Sequence, residues 1–150
     1  MTSESTAFRR RLRLVPALER ATHAVGMYVQ AQAGPRCTQA EANVLAFLYE
    51  RGGSPLAEVH ASFGHRRSTL TSVIDRLAAR NLVVRKRDPE DGRAYLLSLT
   101  RSGTTLGRAV TARLEELEAR ASSRLTKRDV ASFAKVAAAL AVAARGHQPR

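Results

Sequence analysis

Between residues 38 and 99 the spacing of apolar residues changes from helical to strand-like, and this change most limits the folds open to the chain. Apolar residues recur three and four positions apart in three successive stretches, the last of which places Leu70, Ile74 and Leu77 on one face. Such spacing is typical of amphipathic helices. Two short β-rich runs, residues 82–87 and 95–99, then flank an Asp-Gly turn and indicate a β-hairpin. Helices followed by a hairpin in this order predict a helix-turn-helix with a wing.

Residues with strong preferences for helix ends predict where the helices begin. Thr38-Gln-Ala-Glu41 and Thr126-Lys-Arg-Asp129 have the pattern of capping boxes, in which side chains at a helix start bond free backbone N–H groups. Ser54 and Pro55 are predicted as the N-cap and first turn of the second, short helix. Thr100 is predicted to cap the helix that follows the hairpin.

The segments on either side of this core carry long apolar stripes, over residues 8–29, 104–125 and 130–142. They offer more apolar surface than one small winged helix can cover, so we expect a homodimer; a self-contained helical bundle is the alternative. The predicted fold is mainly α with a small β-hairpin wing: a winged helix-turn-helix flanked by N- and C-terminal dimerisation helices. We predict an N-terminal arm and dimerisation helix at 1–36, a DNA-binding domain at 37–100 and C-terminal dimerisation helices at 101–150.

The charge of the chain restricts its partners. Twenty-five Lys and Arg face 13 Asp and Glu, for a formal net charge of +12. A balance this basic implies an acidic partner, either nucleic acid or an anionic membrane. No apolar run approaches the roughly 20 residues that a membrane span needs, and a single cysteine fits a reducing compartment. We therefore expect a cytoplasmic protein whose partner is double-stranded DNA and not a membrane.

The third helix and the hairpin carry the residue types that DNA contact requires. The major groove admits one α-helix, and short hydroxyl side chains allow that helix to approach closely. A loop that bears Arg can reach phosphates or a narrow minor groove. The predicted DNA-contacting residues are Arg66, Arg67, Ser68, Thr69, Thr71, Ser72, Lys86 and Arg93. A small α+β domain with a solvated basic face is the alternative at this point.

The stretch from Thr38 to Gly103 resembles the MarR family of bacterial transcription regulators. The resemblance rests on residues 38–45 and 68–77, on Asp88-Pro-Glu-Asp-Gly-Arg93, and on Leu99-Thr-Arg-Ser-Gly103. Asn81 departs from the family, which usually has Gly there, but Asn also tolerates the left-handed conformation. The resemblance implies a homodimeric regulator, typically a repressor, that binds a pseudo-palindromic operator. It also implies a small-molecule effector, of unknown identity, between the dimerisation helices and the winged helix.

The charge and a few single residues also allow other interpretations of the chain. A nucleoid-type DNA-binding protein without operator specificity is the alternative function. No catalytic or phosphate-binding motif is present, so we expect neither an enzyme nor a cofactor, and the four scattered histidines lack the spacing of a metal site. Cys37 precedes a capped helix whose dipole is expected to lower the pKa of the thiol; it is either a redox sensor or an idle thiol.

Overall fold

The computed structural model describes residues 12–33, 37–63 and 67–145, without the side chains of residues 32, 33, 67 and 145. Its helices are α1 Val15–Ala33, α2 Gln39–Arg51, α3 Leu56–Phe63, α4 Arg67–Ala79, α5 Arg101–Ser122 and α6 Lys127–Arg145. Its strands are β1 Ser54–Pro55, β2 Val83–Arg87 and β3 Tyr95–Leu99. The predicted fold class, mainly α with a β-hairpin wing, is confirmed. The start of the first apolar stripe, residues 8–11, lies outside the described residues.

Contacts divide the chain into two compact units, one up to Arg113 and one from Leu114 onwards. The core of the first unit lies where the apolar faces of α2 and α4 meet the sheet. Its largest fully buried side chains are Leu45, Leu48, Leu70, Ile74, Leu77, Leu97, Val44 and Val59. In the described part of the second unit no residue is buried. The division into residues 1–36, 37–100 and 101–150 stays a prediction.

The two predicted capping boxes, at Thr38 and Thr126, are confirmed. At the start of α2, Glu41 N donates to Thr38 Oγ1 at 3.3 Å, and Thr38 N donates to the Glu41 carboxylate at 2.9 Å. The same reciprocal arrangement joins Thr126 and Asp129 at the start of α6. Local side-chain chemistry therefore sets where these two helices begin.

The prediction for Ser54 and Pro55 is wrong. They form the short strand β1, which pairs with β3 through Ser54↔Leu97 and Pro55↔Leu96, and α3 begins only at Leu56. The sheet order is β1-β3-β2, so β1 lies at an edge. Proline lacks a backbone N–H and fits an edge strand, where the missing donor breaks no ladder. A helix start and an edge strand accept the same Ser-Pro pair, and packing against β3 decides between them.

Strands β2 and β3 form the predicted hairpin, which together with its loop is called the wing here (residues 83–99). Their register runs from Val83↔Leu99 to Arg87↔Tyr95, which leaves residues 88–94 as the connecting loop. Gly52 and Asn81 have positive φ among the described residues, whereas the Asp91-Gly92 pair does not. The wing therefore ends in a seven-residue loop and not in the tight Asp-Gly turn that the sequence suggested.

Asn81 ends helix α4 in a Schellman motif. Its φ is 54°, its N–H donates to Ala78 O at 2.9 Å, and Leu82 N donates to Leu77 O at 2.9 Å. These two bonds satisfy carbonyl groups that the end of a helix leaves free. The predicted left-handed residue is confirmed, and it turns the chain from α4 into β2.

The exit from the wing packs tightly against this turn. Thr100 Oγ1 donates to Asn81 O at 2.7 Å and accepts from Gly103 N at 3.0 Å, so one hydroxyl joins the end of α4 to the start of α5. Gly103 lies directly against the backbone carbonyl of Leu82, where a Cβ atom would overlap the carbonyl oxygen. Only glycine allows this approach of α5 to the α4–β2 connection.

We expect Gly103→Ala to lower the free energy of unfolding by about 1–3 kcal/mol, the usual cost of overpacking, because the obstacle is backbone and cannot rotate away. Chemical denaturation monitored by circular dichroism measures the loss. Gly92→Ala is the matched control: Gly92 has no positive φ and no atom within 4 Å of an added Cβ. Equal stability of the two variants would contradict the close approach.

Candidate DNA-binding surface

Helix α4 has an apolar face and a smaller polar face. On the apolar face, Leu70, Ile74 and Leu77 are fully buried in the core of the first unit. Of the predicted contact residues, Ser68, Thr69 and Ser72 are exposed, and Thr71 is half-buried at the edge of the core. Arg67 opens the helix, but its side chain is not described, and Arg66 lies outside the described residues. The exposed face thus presents short hydroxyl groups.

One of these hydroxyls is already bonded within the helix. Ser72 Oγ donates to the carbonyl oxygen of Ser68, one turn earlier, at 3.1 Å. Serine in a helix commonly forms this bond, and it leaves the lone pairs of the hydroxyl oxygen facing outwards. In this rotamer Ser72 can accept a hydrogen bond from the amino group of adenine or cytosine at a major-groove edge.

The orientation of α4 depends on Glu41, whose residue surface is 3% exposed. Arg76 Nε donates to Glu41 Oε1 at 2.9 Å, and Arg80 Nη1 donates to Glu41 Oε2 at 3.3 Å. The same carboxylate accepts from Thr38 N in the capping box. A single side chain of α2 therefore binds two successive turns of the candidate recognition helix.

Burial acts to raise the pKa of Glu41, but the hydrogen bonds from Thr38 N and Arg76 and the charges of Arg76 and Arg80 outweigh it. The pKa of the carboxyl is held below its ordinary value, so Glu41 is ionised near neutral pH. Because Arg76 and Arg80 are bonded to it, part of their charge is neutralised inside the protein and is not presented to a partner.

Two cations of the wing, Lys86 and Arg93, have side chains with neither an ion pair nor a hydrogen bond in the described part of the chain, and both are exposed. The other cations of the wing are engaged. Arg85 Nη2 is 2.6 Å from Asp75 Oδ1 on α4. Arg87 Nη1 donates to Gly92 O at 3.3 Å, and its guanidinium lies over the ring of Tyr95.

The wing loop holds Arg93 through its backbone. Asp91 Oδ1 accepts from Arg93 N at 3.0 Å, and Asp88 Oδ1 accepts from Glu90 N at 2.9 Å. Both bonds are of the Asx-turn kind and stiffen the loop. The guanidinium of Arg93 is left available to a partner, close to the tip of the wing.

Comparison with known proteins agrees with this arrangement. The model of the MarR family matches residues 37–94, which run from the start of α2 into the wing. The chain is 34% identical over 107 residues to the HTH-type transcriptional repressor MdtR of Bacillus subtilis, covering 71% of this chain and 69% of that protein. The chain belongs to the MarR family.

Two further proteins are similar to the chain, one in sequence and one in structure. The HTH-type transcriptional repressor NicR of Pseudomonas putida is 31% identical over 80 residues. The match covers 53% of this chain and 51% of NicR. The crystal structure of the PcaV transcriptional regulator from Streptomyces coelicolor, in complex with its natural ligand, superposes with a TM-score of 0.72 at 27% identity. That match covers 89% of this chain and 95% of PcaV, so the likeness extends beyond the winged helix.

Sequence reasoning missed the ion pairs that fix this MarR-family surface. Glu41 was assigned only a capping role, although it also binds Arg76 and Arg80, 35 and 39 positions away. Asp75 and Arg85 lie in the stretches predicted as the third helix and the first strand of the hairpin, and nothing in their spacing pairs them. No local pattern marks such contacts; the available signal is the presence of an acidic residue at the start of one helix and arginines near the end of another.

The expectation that the pKa of the Cys37 thiol is lowered is wrong. The thiol is buried, with 3% of the residue exposed, and burial, followed by the charge of Glu41, raises its pKa even though the charge of Arg80 acts in the opposite direction. Desolvation and the neighbouring carboxylate therefore outweigh the charge of Arg80, and a buried neutral thiol is a poor nucleophile.

Within residues 12–33, 37–63 and 67–145, no group of three or more His, Cys, Asp or Glu lies close enough to hold a metal ion. In the same residues, each helix is too short or too polar to cross a membrane.

We expect Glu41→Gln to lower the free energy of unfolding at pH 7 by about 1–3 kcal/mol, because hydrogen bonds to a charged group are lost. The folded-state pKa of Glu41 lies below its unfolded value of about 4.3. Its contribution is therefore present above that pH and disappears as pH falls through the folded-state pKa. The difference between wild type and variant should shrink over the same interval in denaturation curves measured from pH 7 to pH 3.

Glu58→Gln is the matched control, since it removes the exposed ion pair that Glu58 forms with Arg51 at 2.8 Å. An exposed pair contributes about 0–1 kcal/mol. Equal losses in the two variants at pH 7 would show that Glu41 is not an anchor of α4.

Proposed function

We propose that this MarR-family chain is a ligand-responsive transcriptional repressor that binds a pseudo-palindromic operator as a homodimer. The observation that carries the proposal is the combination of exposed hydroxyls on α4 with two exposed wing cations, Lys86 and Arg93, whose side chains make no ion pair or hydrogen bond in the described residues. The names of MdtR and NicR, both transcriptional repressors, support the sign of regulation. The proposed DNA contacts are those predicted from the sequence, including Arg66 and Arg67.

Helix α4 enters the major groove and the wing reaches the neighbouring backbone. In this arrangement Ser68, Thr69, Thr71 and Ser72 meet base edges or phosphates, and Arg93 enters the minor groove where A·T-rich sequence narrows it. A dimer of such units contacts half-sites about 34–36 Å apart, one turn of B-DNA. The operator therefore has approximate two-fold symmetry.

Exposed apolar side chains support dimerisation through residues 1–36 and 101–150, with residues 37–100 as the DNA-binding domain. On and before α1, exposed apolar residues include Leu12, Leu14, Val15, Val25 and Met27. From Leu114 onwards they include Leu125, Val130, Phe133, Val136 and Val142. Helix α6 has an apolar stripe and no buried residue among those described, so it requires a partner surface, and a second copy of the chain supplies one.

A cleft in the first unit supports regulation by a small molecule. It has a volume of about 410 Å³, lies between α1 and the start of α2, and is lined by Leu18, Glu19, Thr22, His23 and Gln39. PcaV, which superposes on this chain, was crystallised with its natural ligand. A ligand in the cleft changes the distance between the two recognition helices of the dimer and so changes operator affinity.

The protein acts in the cytoplasm, where the DNA of bacteria lies, and it acts by binding and not by catalysis. The net charge of +12 favours one alternative, a nucleoid-type protein that binds DNA without operator preference. Selection of bound fragments from the source genome separates the two. A regulator prefers its selected site to random DNA by about 10³-fold or more, whereas equal affinity for both would support the nucleoid-type protein.

We expect Arg93→Ala to weaken operator binding and to flatten the slope of log K against log salt by about one unit, because one phosphate-neutralising cation is lost. The melting temperature should stay close to that of the wild type, since the loop bond at Arg93 uses the backbone N–H. Fluorescence anisotropy at several salt concentrations measures the slope. Arg124→Ala, an exposed arginine outside the proposed DNA-binding domain, is the control. Unchanged operator affinity in Arg93→Ala would remove Arg93 from the site.

We expect Phe133→Glu to convert the dimer to a monomer at micromolar concentration while helicity is retained. Phe133 is 61% exposed in the single chain, so a charge there costs the protomer little but is expensive in an apolar interface. Sedimentation measures the association state and circular dichroism the helicity. Lys135→Glu, on the opposite side of α6, is the control. A wild-type chain that sediments as a monomer would refute the dimer.

A further inference from the structure

Asp75 and Arg85 form an ion pair that joins α4 to the first strand of the wing. The distance from Arg85 Nη2 to Asp75 Oδ1 is 2.6 Å, and the two side chains are 38% and 56% exposed, respectively. An ion pair this exposed contributes little to the free energy of unfolding. Its principal effect is on the charge that this side of the protein presents to solvent and to DNA.

Asp75 lies on the exposed face of α4 that carries the proposed base-contacting hydroxyls. Ser68, Ser72 and Asp75 are separated by four and then three positions, so they follow one another along a single helical stripe. All three are exposed. A carboxylate on this stripe repels phosphate, and it holds the nearest wing arginine at hydrogen-bond distance.

The pleat of β2 turns Arg85 towards Asp75. Alternate residues of a strand lie on opposite faces, so Arg85 shares a face with the buried Val83, whereas Lys86 lies on the other face. Arg85 also pairs in register with the fully buried Leu97. Of the consecutive cations Arg85, Lys86 and Arg87, the first is neutralised by a carboxylate and the third is bonded to the wing loop.

Each cation that is free to neutralise a phosphate adds to binding that does not depend on sequence, because it releases a condensed counterion. We propose that Asp75 is a specificity-determining residue that holds Arg85 away from the phosphates and so suppresses sequence-independent binding. The proposal rests on the proposed function. Operator contacts through α4, Lys86 and Arg93 stay in place, and the ratio of operator to random affinity rises.

The test measures the affinity of the full-length protein for a random-sequence duplex over a range of salt concentrations. Asp75→Asn nearly preserves the shape of the side chain and releases Arg85. We expect tighter binding to the random duplex and a slope of log K against log salt that is steeper by about one unit. Arg85→Gln in the wild-type background should leave the slope unchanged, since Arg85 does not contact phosphate there.

The double variant Asp75→Asn with Arg85→Gln identifies which charge is responsible. A return to the wild-type slope supports the sequestration of Arg85. A slope that stays steep in the double variant would show that Asp75 acts by its own repulsion of phosphate, and would overturn the proposal. A flatter slope in Arg85→Gln alone would also overturn it, because Arg85 would then already contact DNA.

Glu58→Gln is the matched control, since it frees Arg51 from a similarly exposed ion pair whose residues lie outside the proposed contact set. Its slope should equal that of the wild type, and an equal steepening would show that any freed arginine has the effect. Binding to the selected operator is measured in parallel. A wild type that does not prefer the operator would refute the proposed regulator, while the slopes on random DNA would still decide the role of Asp75.

Discussion

The carboxylate of Glu41 accepts hydrogen bonds from the start of α2 and from two arginines of α4, and the position of the recognition helix depends on it. A buried carboxylate stays ionised only where other donors replace water. Thr38 N, Arg76 and Arg80 supply those donors, so the cap of one helix and the orientation of another share one group. The wing follows, because α4 leads into β2 through the Schellman motif at Asn81.

The attraction of this protein for DNA depends less on its net charge of +12 than on which cations are already bonded to carboxylates within the protein. Arg76 and Arg80 are bonded to Glu41, and Arg85 is bonded to Asp75. These pairs keep the arginines in fixed positions and reduce the charge they present. A DNA-binding surface gains specificity when hydrogen-bonding groups on base edges, and not free cations, provide a larger share of the binding energy.

The two compact units differ in how they bury apolar residues. The unit up to Arg113 has a continuous core of leucine, isoleucine and valine from α2, α4 and the sheet. The described part of the unit from Leu114 onwards has an amphipathic stripe on α6 but no buried residue. Burial of apolar surface is the main favourable term in folding and association. The proposed dimer interface therefore supplies the apolar burial that the second unit lacks, whereas the first unit already has a core of its own.

The sequence by itself determined the features that depend on neighbouring residues: the caps at Thr38 and Thr126, the buried face of α4 and the hairpin. Periodicity and local hydrogen bonding encode these directly. Only the tertiary structure decided that Ser54–Pro55 is an edge strand, that burial raises the pKa of Cys37, and that Glu41 binds arginines 35 and 39 residues away. The physical reason is that strand pairing, desolvation and long-range ion pairs depend on which surfaces packing brings together, and no local pattern in the chain specifies that.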